Sequence, residues 1–209
     1  GQDAYFHVNE IVYGTWLSDK PHVIYGVAAV GYPNIDSNLN LTIEPGTIIK
    51  AEAGTGASAS SLVIARGGKL NAIGTASQPI IFTSKSDDIQ LGQTSGSSLN
   101  ENVRGLWGGL LILGNAPCSF SGDVTELQIE GIPADDKRGL YGGSDASDNS
   151  GSMKYISIRH GVAEIGADNE INGLTLGGVG SGTVIDNIEV VGNVDDGIEF
   201  FGGTVNASN

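Results

Sequence analysis

The densest chemistry in the sequence is Asp195-Asp196-Gly197-Ile198-Glu199, three carboxylates within five residues. Closely spaced carboxylates can divide acid and base roles, one held protonated and the other ionised, as glycoside hydrolysis requires. His160, in Arg159-His160-Gly161, adds an imidazole to the set. Asp195, Asp196, Glu199 and His160 are therefore the catalytic candidates. The plainer reading has the acidic residues forming a turn and facing solvent at a corner of the chain.

A second cluster joins Asp135-Asp136 to Ser144-Asp145-Ala146-Ser147-Asp148-Asn149-Ser150. Hard oxygen ligands at this density suit Ca²⁺, so Asp135, Asp136, Asp145 and Asp148 are candidate ligands and calcium is the one cofactor expected, although the spacing is not that of an EF-hand. Without an ion, these side chains bond their own backbone in Asx-turns. Cys118 is the only cysteine, which excludes an intramolecular disulfide and a Cys-based zinc cluster. No histidine neighbours it in sequence, and it reads as a small packing residue rather than a nucleophile. Asn40-Leu41-Thr42 and Asn206-Ala207-Ser208 fit the N-glycosylation pattern. Gly177-Gly178-Val179-Gly180-Ser181-Gly182 is followed by neither a helical pattern nor a lysine, so it reads as tight corners and not as a phosphate cradle.

The elements that must carry these groups are short strands. The chain holds 33 glycines in 209 residues, more than twice the usual share of about 7%, which disfavours long helices. Hydrophobic residues make up 39% and aromatics 6%, so the core must be aliphatic. A β-branched run, a glycine and another short run recur in order. Examples are Leu41–Lys50, Ser61–Gly74, Pro79–Thr83, Trp107–Gly114, Lys154–Arg159, Leu174–Gly178 and Ile185–Gly192. A repeat of roughly 20–30 residues with glycine corners and no intervening helix predicts an all-β fold, a single-stranded parallel β-helix, because one coil cannot bury its inward face without neighbours. An antiparallel sandwich is the rival, but Asn172-Gly173 is the only clear hairpin signal.

Residues 41–209 are expected to form the β-helix domain, with polar loops leaving it at about 84–105 and 115–151, and residues 1–40 to form an N-terminal cap or adhesion segment. Trp16, Tyr13, Tyr25 and Tyr32 would suit a cap over the first coil. The expected interior comprises Leu62, Ile64, Leu70, Ile80, Phe82, Leu111, Leu113, Ile156, Ile158, Leu174, Leu176, Ile188 and Val190, with a one-residue slip exchanging inside for outside.

These phrases resemble known sequences. Leu41–Thr47 and Gly67–Ser84 are similar to rungs of secreted right-handed parallel β-helix proteins. Trp107–Pro117, Ile129-Glu130-Gly131, Tyr141-Gly142-Gly143 and Asp195–Asn206 resemble a family of surface or secreted proteins of Bacteroidota-type bacteria. The resemblance spans roughly residues 40–209 and implies the fold and a secreted or cell-surface location, but brings no reaction with it. In pectin-cleaving polygalacturonases the aspartate pair precedes the histidine, whereas His160 precedes Asp195-Asp196 here.

Twenty-four acidic and ten basic residues leave a net charge of −14, which disfavours nucleic acid and anionic membranes as partners. No apolar run approaches the roughly 18 residues of a membrane span, and Gly1-Gln2-Asp3 carries no charged leader or apolar signal region. Rigid repetition without a convincing site fits a non-enzymatic extracellular module, a surface scaffold, adhesin or fibre subunit contacting cell-surface glycans. The alternative is a polysaccharide hydrolase or lyase working in a groove of the solenoid. Because the Phe200–Asn206 coil would expose an edge, a head-to-tail second copy or a continuation of the chain is the expected partner.

Overall fold

The computed structural model describes residues 3–162, 164–166 and 169–209, with side chains described except at 57, 164–166 and 169–170; Gly1 and Gln2 lie outside it. Its strands stack in three columns, which are the three faces of a parallel β-helix. The first face is built from Gly14–Trp16, Asn40–Ile43, Lys69–Ile73, the opening half of Gly151–Arg159, the opening half of Val184–Val191, and Ala207–Ser208. The second runs through Tyr5–Val8, His22–Tyr25, Ile48–Ala51, Ile80–Ser84 and the closing halves of the same two long strands. Val27–Val30, Ser61–Ile64, Leu110–Leu113, Leu174–Gly177 and Ile198–Phe201 form the third. Every one of these inter-coil pairings is parallel, which rules out the sandwich. The strands stack in these columns from Tyr5 onward.

Alternation along each strand sends every second side chain inward. Inward columns such as Ala28–Leu62–Leu110–Leu174–Ile198 and Val30–Ile64–Ile112–Leu176 fill the central core. Leu62, Ile64, Leu70, Ile80, Phe82, Ile156, Ile158, Leu174 and Leu176 are buried there as expected, while Ile188 and Val190, in the last coil, are partly buried against it. Leu111 and Leu113 correct the expected alignment: they are fully buried but point outward, in a separate cluster with Ala29, Val63, Ile129, Ile132, Tyr141 and Ile171. The Leu-Leu-Ile-Leu run is apolar at all four positions, so alternation could not set its phase. The outside of the third face is itself covered.

The covers are the two long loops. Between Leu113 and Gly151 the chain folds over the third face, carrying a small antiparallel pair, Leu127–Gln128 with Leu140–Tyr141. Arg66 ties it down, donating from Nη1 to the Gly142 carbonyl at 2.8 Å and pairing through Nη2 with Glu126 at 2.6 Å. Between Ser84 and Leu110 the chain covers part of the second face, where outward Ile48 and Ile81 meet Ile89. Lys50, 5% exposed beneath this loop, donates to the Asp87 carbonyl at 2.7 Å, and Thr83 Oγ1 donates to Asp87 Oδ2 at 2.8 Å. Burial pushes the Lys50 ammonium down, with Asp87 and Asp88 opposing the shift.

The coils close at tight corners, and at Gly151, φ 111°, an added Cβ would run into the Leu70 backbone of the preceding coil. At the N-terminal end the interior is plugged by rings. His7 and His22 lie parallel with centroids 5.3 Å apart, and Trp16 stacks on both, at 4.3 and 4.7 Å. Of the four aromatics expected there, only Trp16 turns inward; Tyr13 is exposed, Tyr25 lies under the Lys85 ammonium, and Tyr32 sits in the turn bonded to Asp36.

Candidate functional site

The four catalytic candidates fall at one end of the solenoid, in three settings. Asp195 and Asp196 are exposed on the corner that leads from the second to the third face, and their backbone carbonyls accept from Asn193 Nδ2 at 3.3 and 2.5 Å. Glu199 faces outward on the third face and accepts a hydrogen bond from Asn172 Nδ2. His160 is buried, with Nδ1 donating to the Val103 carbonyl at 2.6 Å. Among the described residues no hydrogen bond or ion pair joins any two of the four. The Asp195-Asp196 backbone does the work of a corner, with the Asp196 carbonyl also accepting from Gly173 N–H at 3.2 Å.

The candidate calcium ligands are spread along the loop over the third face. Asp136 caps a short 3₁₀ turn at Lys137–Gly139 and holds Arg138 through both oxygens, at 2.9 and 3.0 Å to Nε and 2.5 Å to Nη2. That guanidinium and the Arg138 backbone N–H outweigh burial and hold the carboxyl below the usual range. Asp145 makes an Asx-turn, accepting from Ser147 N–H and Oγ at 2.9 and 2.7 Å. Asp148 is half-buried, and burial pushes its carboxyl up. Asp135 lines a shallow hollow with Tyr32 and Arg138, whereas Asp148 lines a different cleft of about 480 Å³ with Arg66, Asn115 and Glu126. Among the described residues no three His, Cys, Asp or Glu side chains are grouped to hold a metal ion. Burial also pushes the Cys118 thiol up, which lowers its thiolate fraction. Asn40 and Asn206 are both exposed.

A third polar group was not legible as a motif. Ser157, Arg159 and Glu189 sit together on the outside of the second face, where strand register places Ser157 beside Ile81 in one coil and Glu189 in the next. Ser157 Oγ–H donates to Glu189 Oε2 and its oxygen accepts from Arg159 Nε at 2.8 Å, while Arg159 Nη2 lies 3.6 Å from the same carboxylate. These groups line a cleft of about 460 Å³, together with Tyr155, Asn187, Thr94 and Pro79. Tyr155 stands at the corner between the first and second faces, at the position the following coil gives to Asn187, and both are left-handed, with φ 51° and 54°. Asn tolerates that conformation; a bulky aromatic residue pays about 1–2 kcal/mol for it. His160 and Val162 are also left-handed, φ 61° and 71°, but both are buried in contacts that can hold them so. The Tyr155 side chain is 37% exposed at the mouth of the cleft. Sequence alternation marks Ser157, Arg159 and Glu189 as outward, but only the stacking of coils brings Glu189 over Ser157.

Parallel coils stacked in three columns around an aliphatic core define a parallel β-helix protein. The model of the pectate-lyase-like β-helix domain family matches residues 22–209, and the chain belongs to that family. Searches of curated proteins and of solved structures each returned no match.

Proposed function

We propose that this chain is an extracellular, glycan-contacting β-helix module, a stiff surface scaffold or fibre subunit that holds polysaccharide without cleaving it. The observation that carries the reading is the use of the carboxylates. Asp136 and Asp145 are engaged in turns or ion pairs, Glu199 is tied to Asn172, and the Asp195-Asp196 pair stands on an exposed corner with no hydrogen bond to the buried His160 ring among the described residues. A hydrolase needs two carboxyl groups facing across one scissile bond. The net charge of −14 disfavours nucleic acid, and the family's fold suits a polysaccharide-related or structural module. The inward column ends at Phe200, 48% exposed, and Phe6 and Val8 are exposed at the opposite end.

Co-sedimentation with insoluble polysaccharides, combined with an assay for newly formed reducing ends, tests the reading. Retention on polysaccharide with no new ends is the expected result. New reducing ends or unsaturated products would establish the hydrolase or lyase alternative, and passage of all the protein into the supernatant would overturn both.

A further inference from the structure

We infer that the Tyr155 cleft is a binding site for a neutral oligosaccharide, with the Tyr155 ring as its platform and Glu189, Asn187 and Thr94 as its polar partners. The inference rests on the glycan-contacting reading and names its site and ligand class. Its first support is a strained backbone beneath a partly exposed ring. A glycine or asparagine would turn this corner at less cost, as Asn187 does one coil later, yet the chain places there a large ring that is 37% exposed. Strain of this kind persists where the side chain does something the cheaper residue cannot. A flat, rigid ring with a hydroxyl at its tip offers an apolar face to the C–H side of a pyranose and a polar edge to its hydroxyls.

The second support is the cleft around the ring. Its volume of about 460 Å³ lies within the span of about 300–1,000 Å³ usual for small-molecule sites. Glu189, 61% exposed at its side chain, is fixed from below by Ser157 and faced by Arg159, so one oxygen is oriented while the rest of the carboxylate faces the cleft. An oriented carboxylate accepts from adjacent sugar hydroxyls, and the Asn187 amide and Thr94 hydroxyl can both donate and accept.

Charge selects among sugars. Arg159 is the only basic residue lining the cleft, its side chain is only 15% exposed, and its guanidinium is engaged with Ser157 and Glu189. A uronate would therefore bring a carboxylate against Glu189 with no free cation to offset it. The ligand class is neutral hexose or pentose chains, and acidic pectic fragments are excluded.

The test is calorimetric titration of the full chain with cellohexaose, xylohexaose, mannohexaose and trigalacturonate, together with melting curves for Tyr155→Gly, Tyr155→Asn and Tyr155→Phe. At least one neutral hexasaccharide should bind, and trigalacturonate should bind at least tenfold more weakly. Gly and Asn at this position should weaken neutral binding about tenfold or more while leaving Tm unchanged or higher, and Phe should keep binding within about threefold. Equal binding by the Gly or Asn variant, tighter binding of trigalacturonate, or a lower Tm in both variants would overturn the site. Polysaccharide retention that survives in Tyr155→Gly would leave the module reading standing and remove only this cleft; absence of retention by the unaltered chain removes the module reading itself.

Discussion

Two outward columns of the solenoid change character along the stack, and they finish differently. On the third face, Ala29, Val63 and Leu111 are followed in register by Thr175 and Glu199; on the second, Ile48 and Ile81 are followed by Ser157 and Glu189. The apolar members of both columns lie under a long loop, and both columns turn polar where the strands continue toward the last coils. At the third face Thr175 stays buried, with Oγ1 unpartnered, beside Asn172, whose Oδ1 is also unpartnered. At the second face the polar members open into a cleft under a strained tyrosine. The loops are structural where they meet aliphatic columns, and the proposed recognition cleft lies where the cover stops.

Removing the cover's footing should have the largest effect. Leu111→Ala is expected to cost about 2–5 kcal/mol, as much as the truly interior Ile112→Ala, because both leave a cavity in a fully packed site. Glu189→Gln, in the open column, should change stability by no more than about 0.5 kcal/mol. Urea unfolding of the three variants checks the ranking, and a Leu111→Ala cost as small as that of Glu189→Gln would show that the loop does not seal the third face.

A gentler perturbation acts on the N-terminal plug. The row Glu10, His7, His22, Leu17 carbonyl has three successive contacts of 3.0 Å, for which two neutral imidazoles supply only two protons. Burial holds His22 down at about 4, with the Leu17 carbonyl opposing the shift, and burial also lowers His7 against the pull of Glu10. The folded pKa values thus lie below the ordinary histidine value near 6.5, so the unfolded chain binds more protons on acidification. The stabilisation is fully present above about pH 6.5 and should fall as the pH drops from there toward 4. His22→Phe should flatten this slope, as read from Tm at pH 7.5, 6 and 5. An unchanged slope would place the acid sensitivity elsewhere.

Much of the architecture was legible because it depends on local chemistry. Glycine corners and aliphatic runs fixed the coils, and the polar stretches after Ser84 and after Asn115 marked the excursions. The phase of Leu110–Leu113 was not legible, since four apolar residues in a row carry no alternation and the second apolar side exists only because Ile129, Ile132 and Tyr141 return to cover it. The histidine plug escaped notice for a related reason: His7 and His22 are distant in sequence and meet only through the strand register that sets Tyr5 beside His22 and His7 beside Ile24. Among candidate functional groups, clusters dense in sequence drew attention, yet their side chains disperse. Glu189 and Ser157, 32 positions apart, are brought together by stacking.

Whether the proposed recognition sits at the Tyr155 corner is read by mapping backbone amide shifts in two-dimensional NMR while the neutral hexasaccharide that binds is added. Shifts should concentrate at Thr75–Gln78, Thr94, Tyr155–Arg159 and Asn187–Glu189. Shifts concentrated instead around Arg66, Asn115, Glu126 and Asp148, in the cleft beside the loop of the third face, would contradict it.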